Sequence, residues 1–449
     1  MIPRRTLLTA LPLLATPALA QTPPPPNEPR PPRGREGREG REGREGREGR
    51  PGKEGRPPAQ RYSLEQATSD RAQLHTIAFS GLAFLSGDFA ADTFLPPGKV
   101  SDYFGFQYLR DIDAVQGGHS PAFLTRIAFA TLAILTPAQR ALLIEAGRAQ
   151  QADVRRFALL RLPLIKAFRQ NLERSGPAAR APLNRTAVLA HSAALYELDG
   201  RIAWARAQAM ARVIRSLSAE QREQFARLKF GDSRSWPAAG DVTEPPERRS
   251  LPHDLDVALM THASELFAWQ GGSLEADTYF CPERHAMYFG GFGLKTAPAL
   301  GKQDYAISTA LTGDAGAEFL ALLQPAQRAR IEALPEQQRA ALQDIVGLRR
   351  RIASELRRLL AGEAADPAEV LRLSRRYGER DGELAFLYAQ AFAAVGQSLS
   401  PEQGRALQAL RDRAPHDPRD PKGPFLYAAP LDAAGAAEAE KTTALFDRP

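Results

Sequence analysis

The chain of 449 residues has a single cysteine. That excludes a disulfide framework, a cysteine-built zinc site and an iron–sulfur cluster. Beyond the N-terminus no apolar run reaches the roughly 18 residues a membrane-crossing helix requires, so the mature chain is expected to hold no transmembrane segment. Alternating β-branched runs, the mark of strands, are nearly missing. Positive charge is also scarcer than the totals suggest. Of 59 Lys and Arg against 52 Asp and Glu, residues 1–61 hold 13 basic and 7 acidic side chains, leaving 46 and 45 for the rest. A nucleic-acid partner therefore has no basic domain to rest on. Catalytic signatures are lacking too. Gly290 to Thr296 misses the spacing of a phosphate-binding loop, and no nucleophile elbow or paired-histidine metalloprotease motif occurs, so no enzymatic turnover is expected. A hydrophobic fraction of 43% is nevertheless enough for sizeable cores.

Residues 1–20 have the form of a secretory signal peptide. Arg4 and Arg5 precede the apolar stretch Leu7 to Leu14, and Ala18-Leu19-Ala20 forms a small-x-small cleavage site before Gln21. Arg4-Arg5-Thr6-Leu7-Leu8 also resembles a twin-arginine signal, so both export routes stay open, and the expected location is the periplasm. Residues 21–61 are expected to be a disordered linker. Pro23 to Pro26 start a polyproline stretch, and glycine then recurs at every third position from Gly34 to Gly55, mostly as Gly-Arg-Glu. The period satisfies the collagen repeat, but triplets poor in proline make a weak triple helix, and a solvated spacer is the simpler reading.

After residue 70 the sequence repeats itself. Ala91-Asp92-Thr93-Phe94 aligns with Ala276-Asp277-Thr278-Tyr279, and Tyr103-Phe104-Gly105 with Tyr288-Phe289-Gly290. Leu135 to Arg140 matches Leu323 to Arg328, Asp199-Gly200 matches Asp381-Gly382, and Ser216 to Gln221 matches Ser398 to Gln403. Apolar residues within each copy recur at helical spacing, as at Ile202, Ala205, Ala209, Val213 and Leu217. The expected fold is all-α: two tandem copies of a multi-helix module, 62–235 and 253–413, joined by a linker at 236–252. Pro163 is expected to kink or end a helix. Residues 414–449, rich in Pro, Asp and Ala, read as a loose C-terminal tail.

Thr136, Ser218 and Ser400 stand where an N-cap belongs, with Gln139, Gln221 and Gln403 three residues on, which predicts capping boxes. Pro137 and Pro401 suit the first helical position. Leu135-Thr136-Pro137-Ala138-Gln139 resembles the LTxxQ motif of periplasmic helical proteins of the Spy and CpxP type. Leu217 to Gln221 and Leu399 to Gln403 resemble it with Ser for Thr. The resemblance covers the helix starts and their flanks. It implies an all-helical periplasmic protein that holds unfolded or envelope protein clients or senses envelope stress.

A second reading rests on the second copy. Cys281, His285 and Met287 combine thiolate, imidazole and thioether within seven residues, a soft donor set suited to copper, and His262 on the preceding helix is a candidate fourth ligand. Cys281-Pro282 is also similar to a haem-binding dipeptide. The competing structural reading makes Cys281 a small buried apolar group and His285 a loop hydrogen-bonder. The first copy has Pro96, Val100 and Asp102 at the matching positions and keeps the aromatics Phe94, Tyr103 and Phe104. Any metal chemistry is thus confined to the second copy. The repeated Asp-Gly pairs suggest close approach of two backbones.

Overall fold

Helix boundaries follow the caps. The computed structural model describes residues 70–86, 121–173, 182–228, 237, 245–271, 315–413 and 433–446. All of these lie in one compact unit, Pro58–Pro449. Among the described residues the regular structure is helical, apart from an isolated bridge between Leu183 and Phe446. The fold is all-α. The signal-peptide and linker expectations for residues 1–61 and the aromatic segments 91–105 and 276–290 lie outside the described residues.

The first copy contributes α1 (Asp70–Ser86), α2 (Pro121–Ile134), α3 (Pro137–Leu172), α4 (Arg185–Ser216) and α5 (Ala219–Arg227). The second contributes α6 (His253–Gly271), α7 (Ala315–Leu322), α8 (Pro325–Glu332), α9 (Leu334–Ala361), α10 (Pro367–Gly396) and α11 (Pro401–Arg413). A short helix α12 (Ala433–Ala439) and a 3-10 turn (Glu440–Leu445) close the chain. Asn184 caps α4 and Asp366 caps α10. Between α9 and α10 the chain turns at Gly362, whose φ of 85° is open to glycine at little cost.

The long hairpins α3–α4 and α9–α10 form the centre, with α4 packed most extensively along α10. The first helix of each copy is handed to the other. α1 lies against α7, α8, α9, α10 and α11 of the second copy, and α6 lies against α2, α3 and α5 of the first. The last turn of each is clasped by an arginine of its own copy. Arg169 donates to the Phe84 carbonyl with its guanidinium 4.6 Å from that ring. Arg357 repeats the arrangement on Trp269, 3.5 Å to the carbonyl and 5.0 Å to the ring. Both apolar clusters of the core therefore draw residues from both copies, such as Leu132 with Ile345 and Leu82 with Phe319.

Two further features bear on the expectations. α3 runs through Pro163 without ending. Proline removes one N–H from the helix ladder, and His191 Nε2, 2.6 Å from the Leu160 carbonyl, supplies a side-chain partner beside the gap. Residues 433–446, within the stretch read as a loose tail, pack on α3, burying Ala439, Leu445 and Phe446.

Candidate functional site

Each pair of LTxxQ-type turns forms one device. Gln139 accepts the Thr136 N–H at 2.8 Å and donates to the Ser216 carbonyl at 3.1 Å. Gln221 accepts the Ser218 N–H at 2.9 Å and donates to the Ile134 carbonyl at 2.7 Å. The two amides also meet each other, at 2.7 Å from Gln221 Nε2 to Gln139 Oε1. Each glutamine thus closes its own helix start and the other's preceding helix end, satisfying backbone groups that a helix leaves open. Gln327 and Gln403 repeat the clasp through the Ser398 and Leu322 carbonyls, at 2.9 and 2.8 Å. Where Gln324 replaces the N-cap hydroxyl, the turn keeps the Gln324 N–H to Gln327 bond at 2.8 Å.

The Asp-Gly pairs mark the crossing of α4 and α10. A Cβ built on Gly382 would lie 2.8 Å from Ser192 Cβ, and one on Gly200 would lie 2.7 Å from Ser374 Cβ. Ser192 and Ser374 occupy equivalent places in the two copies, so the contact is reciprocal and the helices run antiparallel. Between them a Cβ on Gly378 would meet the Ser192 carbonyl oxygen at 2.5 Å and Tyr196 Cβ at 2.7 Å. Tyr196 and Tyr377 stack edge to face there, 4.6 Å between centroids. Asp199 and Asp381 are buried beside the crossing, and burial pushes the Asp381 carboxyl well above its ordinary range.

Of the metal candidates, Cys281, His285 and Met287 lie outside the described residues, and His262 lies in the core, 1% exposed. Its Nδ1 is 3.3 Å from the Leu143 carbonyl. Burial, aided by the nearby Arg206 guanidinium, pushes its pKa down from 6.5 to about 3. Arg206 itself pairs with Glu265, one turn along α6, at 2.6 Å. Among the described residues no three His, Cys, Asp or Glu side chains group as a metal site.

The His262 environment sets a pH dependence. Between pH 6.5 and about 3 the unfolded chain takes up a proton that the folded chain refuses. Stability must therefore fall on acidification through that window, by about 2 kcal/mol at pH 5 from this group alone. Asp381 works the other way, because a raised carboxyl favours the folded state at low pH. The difference between wild type and His262→Gln isolates the histidine. Urea midpoints at pH 7 and pH 5 should drop less in the variant; equal drops would mean that His262 takes its proton in the fold.

The accessible site is the seam between α9 and α10. Arg380 bridges it to Asp344 at 2.9 Å, and Arg351 to Glu369 at 2.8 Å. One stretch is a cleft of about 560 Å³ lined by Arg351, Arg372, Arg375 and Arg376, with Gly347 and Leu348 also in its wall. The adjoining stretch, about 350 Å³, carries Leu384, Phe386 and Leu387 beside Arg185 and Arg380. Asp344 belongs to both. The hydrogen bond from Arg372 holds the Glu369 carboxyl below its ordinary range. From Gln337 to Arg351 the groove is about 21 Å long. It offers guanidinium groups at one end and the half-buried Phe386 and Leu387 at the other, with Leu384 buried beneath them. Sequence reasoning missed this groove, although a local signal exists: residues 349–376 hold eight arginines against four acidic side chains.

Comparison with family models, with curated proteins and with solved structures finds no match to this chain.

Proposed function

We propose that this is an exported periplasmic binding protein that holds unfolded or envelope protein clients without chemical turnover. The observation that carries the reading is the groove along α9 and α10, where Arg351, Arg372, Arg375 and Arg376 adjoin the half-buried Phe386 and Leu387. A client segment with mixed charged and apolar side chains finds both kinds of partner there. The leader of residues 1–20 supports export. The resemblance of Leu135 to Gln139, Leu217 to Gln221 and Leu399 to Gln403 to the LTxxQ motif supports the same reading. Light scattering of a reduced, aggregating test protein checks the proposal. Full-length chain at an equimolar ratio should suppress the scattering. No suppression at tenfold excess would remove the reading.

A further inference from the structure

The two copies differ in what covers their outer hairpins. In the first copy the C-terminal segment lies on α3. Lys166 pairs with Glu440, Thr442 Oγ1 donates to the Pro163 carbonyl at 2.7 Å, and the Leu445 carbonyl accepts the Asn184 N–H at 3.0 Å. Buried side chains fix the register between the hairpins. Gln150 and Arg161 on α3 match Gln338 and Arg349 on α9, while Val188 and Ser192 on α4 match Val370 and Ser374 on α10, and all eight are buried. On that register Leu162, Pro163, Lys166 and Gln170 correspond to Arg350, Arg351, Ser354 and Arg358. Leu162 and Pro163 are buried, whereas Arg350, Arg351, Ser354 and Arg358 are exposed. Arg350, Ser354, Arg357 and Arg358 line an open cleft of about 410 Å³ next to Arg351.

We propose that this face of the α9–α10 hairpin is a docking seat for a short acidic segment of a separate polypeptide, placed as the C-terminal segment is placed on the first hairpin. The first seat offers one ammonium group, Lys166, to one carboxylate, Glu440. The second offers several guanidinium groups, which bind carboxylates in a two-pronged fashion. Arg351, Arg358, Arg372, Arg375 and Arg376 are each steadied by a carboxylate of the chain, yet their side chains stay 45% to 62% exposed. They are positioned and still have N–H groups to give. The exposed Ala361 leaves room for a small apolar side chain. Glu355, Glu363 and Glu369 stand among the arginines, so the seat suits the few carboxylates of a short segment better than the dense charge of a phosphate strand, and a concave seat does not admit a flat bilayer.

The proposal deepens the client-binding reading, since it names the segment class. Its probe is a fluorescein-labelled peptide with the sequence of residues 433–446 carrying Lys441→Glu, titrated with the full-length chain. Saturable one-to-one binding is expected, weakened at least tenfold in Arg351→Glu/Arg358→Glu and unchanged in Lys166→Glu. Gly347→Glu provides a second variant, since a Cβ there meets nothing within 4 Å and the added carboxylate one turn before Arg351 competes with the peptide for it; it too should weaken binding. Absence of saturable binding, or equal binding to the arginine variant, would overturn the seat. Loss of binding in Lys166→Glu alone would also overturn it, by placing the peptide in the first seat. A chain that binds the probe but suppresses no aggregation would keep the seat and remove the client-holding reading. The reverse would remove the seat alone.

Discussion

Replacing Gly378 with alanine should destabilise the protein by about 3 kcal/mol, as expected when a methyl group is forced between packed backbones. The added Cβ would stand 2.5 Å from the Ser192 carbonyl oxygen and 2.8 Å from Ala193 Cα, both on the facing helix. Neither can move aside alone, since both belong to the backbone of α4. The helices would have to separate along the contact that joins the two copies. Gly347→Ala is the matched control. It also sits inside a long helix, but its Cβ would meet open space, so the better helix former should raise stability by up to about 1 kcal/mol. Urea unfolding of the two variants checks both signs. Equal effects would mean that α4 and α10 do not cross at Gly378.

The second large effect concerns Glu265. Its carboxylate forms an ion pair with Arg206 at 2.6 Å, both side chains under 5% exposed, and accepts from Trp269 Nε1 at 3.3 Å. Glu265→Ala leaves a guanidinium buried beside a neutral histidine, and should cost about 3–5 kcal/mol. Because α6 comes from the second copy and Arg206 from the first, the loss would loosen the exchanged helix in particular. Replacing both partners by apolar residues should recover much of the loss, since the unpaired charge then disappears. Thermal unfolding of Glu265→Ala and of Arg206→Met/Glu265→Leu checks this. A double variant no more stable than the single one would contradict it.

Much of the fold was legible. Thr136, Ser218 and Ser400 with their glutamines form capping boxes because the cap is a local matter of side-chain reach. The Asp-Gly repeats read as sites of close approach, and Gly200 and Gly382 lie at one. The exchange of first helices was not legible, because periodicity reports which face is apolar and not which partner covers it. A hint was present in α1 and α6, whose Ile77, Leu82, Phe84, Leu259, Leu266 and Phe267 spread round the helix, as in helices buried on every side. The C-terminal segment misled because its burial rests on few side chains, Ala439, Leu445 and Phe446, within a stretch rich in alanine. Of the candidate site, the arginine runs were visible in sequence. Their convergence was not, since Arg351 and Arg372 meet at Glu369 only through the α9–α10 turn.

The client-binding claim is tested most directly by comparing one protein in two states. A reduced and carboxymethylated, permanently unfolded protein and its native form, both labelled, can be titrated with the full-length chain by fluorescence anisotropy. The account predicts saturable binding of the unfolded form, weakening as salt screens the arginines, and at least tenfold weaker binding of the native form. Equal affinity for both forms, or none for either, would contradict it.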